Sequence, residues 1–193
     1  MMNGLEEYPN ILSQDSCDKL IDMFNNDSRK TPGKTASGVS KNKISTDIPC
    51  DFSDSKLARY NDLIVPGIIS LVTNIKEKYT FLEWGVSHWN LYDDYNIQHY
   101  TDGEGYFTMH CEHSINSPCR MLAWMIYLND AECGTLFPYQ DTVIEAKQGK
   151  GVIWSAGWTH PHKGVTPNIG DKYIATGWFN FYKPKKKMSK GFG

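Results

Sequence analysis

The chain has 193 residues, 40% of them hydrophobic, and a formal net charge of -2. It can bury one substantial core, and two domains would be cramped. The near balance of acid and base argues against a general nucleic-acid binder, which would turn a strongly basic face to phosphates. The start, MMNGLEEYPNIL, has acidic residues where a secretion signal has basic ones, and no stretch approaches the roughly 20 apolar residues that span a bilayer. Five cysteines, an odd number without a secreted spacing framework, imply a reducing compartment. These features predict a soluble, intracellular protein without a membrane or nucleic-acid partner.

From Ser13 the chain reads SQDSCDKLIDMFNN, with Cys17, Leu20, Ile21 and Phe24 at helical spacing and Ser13 placed to cap the first turn. Residues 27–49 are rich in Gly, Ser, Thr and Lys. They predict a long loop with at most one edge strand, and residues 29–49 read equally as a lid or as a surface excursion. A second helix starts at Asp54, with Leu57, Tyr60, Ile64, Ile68, Leu71 and Ile75 as its buried stripe and Pro66 expected to kink or split it. Aromatic and β-branched residues then take over, and runs near 86–100, 120–128, 143–146, 151–155 and 172–182 read as strands. Helices first and strands afterwards predict an α+β domain over 1–182, with helical support at about 13–80 and a β-core at about 84–182. The tail at 183–193, with five lysines, reads as a solvated terminus.

The stretch Tyr100–His113, YTDGEGYFTMHCEH, carries the chemistry. On a strand, His110 and Glu112 project from one face about 7 Å apart and can converge on one ion. A third donor is offered by His160 or His162, and strand parity cannot choose between them because both face the same way. Two histidines and a carboxylate on one face of an ion form the facial triad of non-haem Fe(II) oxygenases, which leaves three coordination positions open. A zinc site built from Cys111, His113 and Cys119 or Cys133 fits no common zinc spacing. Lys172, Ile174, Thr176 and Trp178 alternate on one strand face, so a strand that points Lys172 inward points Trp178 inward too. The competing reading makes Lys172 a snorkelling surface lysine and Tyr100 and Trp178 ordinary core aromatics.

From Tyr92 to Trp178 the sequence resembles the 2-oxoglutarate- and Fe(II)-dependent dioxygenases of the prolyl 4-hydroxylase type, and looks most like their short phage and marine bacterial members. The resemblance rests on Tyr100 and Gly103 ahead of His110 and Glu112, on RMLAWMIYLND from Arg120, on GTLFP from Gly134, and on HKGVTPNIGDKY from His162. It implies a double-stranded β-helix, a jelly-roll-like fold with the N-terminal helices outside. It also chooses His162: in the family a basic residue follows the distal histidine by ten positions with Gly at the eighth, which here are Lys172 and Gly170. His160 is left as a nearby residue, either structural or orienting a ligand through its other ring nitrogen.

The metal set implied is therefore His110, Glu112 and His162. Lys172 is implied on the distal carboxylate of 2-oxoglutarate, with Tyr100, Thr135 and Trp178 lining or contacting that cosubstrate. The implied reaction consumes 2-oxoglutarate and O2, with ascorbate as a candidate reductant, and hydroxylates a C–H bond, peptidyl proline being the family's best-known target. It releases succinate and carbon dioxide. The location implied is the cytoplasm, a host's if the chain is viral. The chain departs from the family in having Glu112 where most relatives have Asp, and Glu132 and Cys133 where relatives have two glycines. Arg120 reads as either a fold residue or part of the substrate mouth. The alternative function is a non-catalytic β-barrel binding protein that keeps the cavity, and it would show by loss of a metal ligand or of the cosubstrate's cation.

Overall fold

The computed structural model describes residues 3–35, 38–86, 88–167 and 170–182, so the lysine-rich tail at 183–193 lies outside the described residues. A first strand, β1 (Leu5–Tyr8), precedes helix α1 (Gln14–Asn26). Ser13 caps that helix by accepting the Ser16 amide, and Cys17, Leu20 and Phe24 form its buried face. Three strands follow, β2 (Thr31–Pro32), β3 (Lys43–Ile44) and β4 (Thr46–Asp51). Asp54 caps a short 3-10 turn at Ser55–Leu57 that leads into α2 (Ala58–Lys78).

The predicted stripe, which starts at Leu57 in the 3-10 turn and continues along α2, is buried at all six positions. Pro66 does not split the helix, which runs on for 21 residues with the proline inside it. Pro66 withholds the amide that Asp62 would accept from. Both residues are exposed, so water can satisfy that carbonyl without a break in the helix. After α3 (Phe81–Trp84) the chain is mostly strand: β5 (Trp89–Tyr100), β6 (Gly105–Tyr106), β7 (Arg120–Tyr127), β8 (Gly134–Phe137), β9 (Thr142–Glu145), β10 (Gly151–Ser155), β11 (Lys163–Val165) and β12 (Lys172–Phe181).

The larger sheet has the order β1-β10-β7-β12-β5-β4-β2, and a three-stranded sheet has the order β11-β8-β9; β3 and β6 pair separately. Every pairing in these sheets is antiparallel. Period-2 alternation along β7 gives the large sheet two apolar faces. Leu122, Trp124 and Ile126 pack with the helices, while Ala123, Met125 and Tyr127 join Phe137, Ile144 and Trp154 between the sheets. The helices thus cover one side of the large sheet, and the smaller sheet closes over the other.

The expectation for residues 27–49 needs correcting. Residues 46–49 are part of β4, which pairs with β5 over six residues inside the large sheet. The segment's polar composition hides this because Lys43, Ser45 and Asp47 are themselves buried, and they satisfy one another. Val39 and Ile44, the apolar residues that drew attention in the sequence, are exposed.

Candidate metal centre

The stretch from Tyr100 to His113, expected to enter the site as a strand, is not one strand. β5 ends at Tyr100, the chain turns at Gly103 with φ +78°, and only Gly105–Tyr106 pair again. His110 and Glu112 lie in irregular chain. Their convergence comes instead from two long-range contacts. His110 and His162 form an isolated antiparallel bridge, in which the His110 amide donates to the His162 carbonyl at 3.0 Å and the His162 amide donates back at 2.8 Å. The amides of Glu112 and His113 both donate to the Ala156 carbonyl, at 3.1 and 3.0 Å.

As a result the potential ligand atoms of His110, Glu112 and His162 all lie within 4.8 Å of one another, close enough for one ion to touch all three. His162 Nε2 is 3.4 Å from Glu112 Oε1. Among the described residues this is the one cluster of three or more such groups, and no cysteine joins it. His160 does not compete: its ring contacts the Asn3 carbonyl at 2.8 Å and the Thr159 hydroxyl at 2.9 Å.

Both rings of the bridge are oriented the same way. His110 Nδ1 lies 2.9 Å from the Thr108 carbonyl, and His162 Nδ1 lies 3.0 Å from the His160 carbonyl. A carbonyl only accepts, so each Nδ1 carries the proton and each Nε2 lone pair faces the cluster. Tyr106 stacks on His110 with ring centroids 3.8 Å apart, and Phe137 and Trp154 pack around the His162 ring. Burial, helped by the neighbouring His162, pushes His110 down to about 4, so its ring is neutral near pH 7. Burial by itself would raise the Glu112 carboxyl, but His162, His110 and Arg120 together outweigh it and hold the group at about 2. Two imidazoles that turn Nε2 to the cluster and one ionised carboxylate are a donor set that suits a divalent transition ion.

These groups open into a cavity of about 770 Å³, whose wall also includes Tyr100, Thr135, Lys172 and Trp178. Lys172 is 3% exposed, and its register partner across the β12–β5 ladder is Tyr100. Directly paired residues share a face, and the ammonium accordingly sits 4.7 Å from the centre of the Tyr100 ring. Its hydrogen bond among the described residues is to the Val165 carbonyl at 3.3 Å. Burial pushes the Lys172 ammonium below the usual lysine range. The Tyr100 hydroxyl donates to Gln98 at 2.8 Å, and Thr135 shares a 2.8 Å hydrogen bond with the Tyr127 hydroxyl. Trp178 lies with the cluster itself, donating from Nε1 to Glu112 Oε2 at 2.6 Å.

Several contributors were not legible in the sequence. Arg120, left between two roles, reaches Glu112 Oε2 at 3.2 Å and lies over the Trp178 ring, 3.5 Å from its centre. The carbonyls of Thr108 and His160 act from two residues before each histidine, and no side-chain pattern announces a carbonyl. Lys43 and Asp47 form a buried pair at 2.6 Å on the cavity wall. Asp47 also accepts from Ser45 and from Gln98, which ties β4 to the residue that holds the Tyr100 hydroxyl.

Residues 95–180 match the family model of the 2OG-Fe(II) oxygenase superfamily. The fold is shared with solved structures over nearly the whole chain. A viral collagen prolyl hydroxylase from Paramecium bursaria Chlorella virus-1, in a 2OG complex, is 19% identical and matches with a TM-score of 0.64 over 93% of this chain and 97% of its own. A Pseudomonas putida prolyl-4-hydroxylase is 17% identical, with a TM-score of 0.67 over 94% and 95%. A Trichoplax adhaerens prolyl hydroxylase, in complex with a hypoxia inducible factor oxygen degradation domain peptide fragment, is 16% identical, with a TM-score of 0.67 over 93% and 84%. No curated protein sequence gives a significant match. The fold is therefore that of the prolyl 4-hydroxylase-like double-stranded β-helix, and the part of it that carries the cluster is similar to the 2OG-Fe(II) oxygenase superfamily.

Proposed function

We propose that this 2-oxoglutarate- and Fe(II)-dependent dioxygenase hydroxylates proline in a peptide, using His110, Glu112 and His162 to hold the metal and Lys172 to hold the cosubstrate. The observation that carries the reading is the placing of a three-donor cluster and a buried, sparsely bonded ammonium in one cavity. The non-catalytic alternative calls for loss of a ligand or of that cation, and this chain keeps both. Bound Fe(II), with 2-oxoglutarate and O2, supplies the oxidation that leaves succinate, carbon dioxide and a hydroxylated C–H position.

The chain's own residues prepare that chemistry. The Thr108 and His160 carbonyls hold the Nδ1 protons, so both imidazoles present their Nε2 lone pairs without rearrangement. A dicarboxylate bound to the metal at one end has a free carboxylate at the other, and in a buried pocket that charge needs a cation and hydrogen bonds. Lys172 supplies the cation, with the Thr135 hydroxyl on the same cavity wall. Phe137 and Trp154 keep water from the inner side of His162. The cavity is larger than a five-carbon diacid needs. Its remaining wall, with Asn116 and Ser117 on one loop, Arg120 at the start of β7, and Thr31 and Pro32 on β2, is where a substrate side chain would enter. Proline as the target rests on likeness to the prolyl hydroxylases, since fold and cosubstrate machinery do not select a substrate.

The test is mass spectrometry of a broad set of proline-containing peptides, incubated with the Fe(II)-loaded protein, 2-oxoglutarate and O2. Gain of one oxygen on proline with matching succinate supports the reading. Succinate without any modified proline across the set would leave the dioxygenase and remove the substrate.

A further inference from the structure

Glu112 is the one carboxylate of the proposed metal set, and the structure surrounds it with two donors that meet on one oxygen. Trp178 Nε1 is 2.6 Å from Oε2 and Arg120 Nη1 is 3.2 Å from that same atom, while Oε1 faces His162 Nε2 at 3.4 Å. We propose that Trp178 and Arg120 are positioning residues that fix Glu112 as a single-oxygen ligand through Oε1. The inference rests on reading His110, Glu112 and His162 as the metal set.

The physical need follows from the side chain's length. Glutamate has one more rotatable bond than aspartate, and its terminal torsion is broad, so an unrestrained carboxylate can swing both oxygens toward an ion. Two-oxygen attachment would consume one of the three positions that cosubstrate and oxygen require. An indole N–H can only donate, and a donor held on a carboxylate oxygen makes a short, charge-assisted bond that occupies it. Trp178 and Arg120 act as one unit, because the guanidinium lies on the indole face.

The strand that carries Trp178 is shaped for this. β12 keeps its ladder with β7 through Trp178, paired to Ala123, while its ladder with β5 shifts register between Gly177 and Phe179. Such irregularities bend a strand and re-aim a side chain, and here the affected residue is the tryptophan that meets Glu112. Gly177, just before it, packs where a Cβ would come within 2.7–2.9 Å of the Trp124 ring.

The test uses Co(II), which does not consume O2, titrated into the full-length protein and read by its visible ligand-field bands, with the metal-free thermal midpoint measured for every variant. Trp178→Phe should weaken Co(II) binding by about 10–100-fold and alter the bands, as loss of an outer partner of a ligand does. Removing one methylene retracts the carboxylate by about 1.5 Å, beyond reach of the indole. In a Glu112→Asp background the same Trp178→Phe change should therefore move Co(II) affinity by less than about two-fold, since the contact it removes is already gone. Arg120→Met serves if Trp178→Phe fails to fold, and should show the same dependence on Glu112. Equal losses in both backgrounds, or unchanged binding and bands in the single variant, would overturn the assignment. Absence of any Co(II) bands in the parent protein would remove the metal reading itself, and the positioning roles with it.

Discussion

Replacing Lys172 by Met should have opposite effects on the empty protein and on its cosubstrate complex. The ammonium is 3% exposed, and its partners among the described residues are one carbonyl at 3.3 Å and the face of Tyr100. That is poor compensation for a buried charge, so a methionine of similar length should leave the thermal midpoint of the cosubstrate-free protein unchanged or raise it. With 2-oxoglutarate bound the argument reverses, because the distal carboxylate would then be buried without its cation. Truncating one partner of a buried charge pair costs about 3–5 kcal/mol. At about 1.4 kcal/mol per factor of ten, this weakens the cosubstrate by at least about 100-fold. The assay is anaerobic titration of the Fe(II)-loaded protein, following the visible charge-transfer band of the chelate. A 2-oxoacid without a second carboxylate provides the control and should bind parent and variant alike. Equal 2-oxoglutarate midpoints for Lys172→Met and the parent, with iron bound in both, would refute the role assigned to this lysine.

His162→Ala should lose metal at stoichiometric Fe(II), while His160→Ala should retain it, because His160 holds the His162 ring through its backbone carbonyl; metal content after desalting separates the two. His160→Ala should still lower stability by about 1–3 kcal/mol in urea, since its buried ring leaves the Asn3 carbonyl and the Thr159 hydroxyl without a partner. Gly177→Ala drives a methyl into the buried Trp124 ring, a rigid neighbour, and should cost about 1–3 kcal/mol by the same assay. The Arg29 hydrogen bond leads the interactions that hold the Asp27 carboxyl down to about 2 from an ordinary 3.8. A carboxyl lowered on folding stabilises the fold above its unfolded value and loses that contribution as pH falls through its folded one. Asp27→Asn should therefore cost on the order of 1 kcal/mol at neutral pH, after allowing for solvent around Arg29, and should flatten the loss of stability between pH 4 and 2.

Periodicity and punctuation are local, and what they determine was legible. Ser13 and the spacing of Cys17, Leu20 and Phe24 define α1, and the stripe from Leu57 to Ile75 defines α2. The five predicted strand runs correspond to β5, β7, β9, β10 and β12. The residue types needed for a facial triad were readable too, as was the inward face shared by Lys172 and Trp178, because alternation along one strand needs no partner to define it. Partnership was not legible. β4 was hidden because its segment's polar residues are buried against one another, and burial depends on what packs over a strand rather than on its composition. His110 and Glu112 converge through a bridge to His162 and through the Ala156 carbonyl, about 50 residues away, and not through strand alternation. Trp178 was expected at the cosubstrate, and only the register of β12 against two neighbours sends its N–H to Glu112. The chain by itself determines which groups are available and which way each local segment faces. Which groups meet is decided by register and closure between distant segments, because hydrogen bonds and ligand geometry act over about 3 Å while the sequence separates their partners by tens of residues.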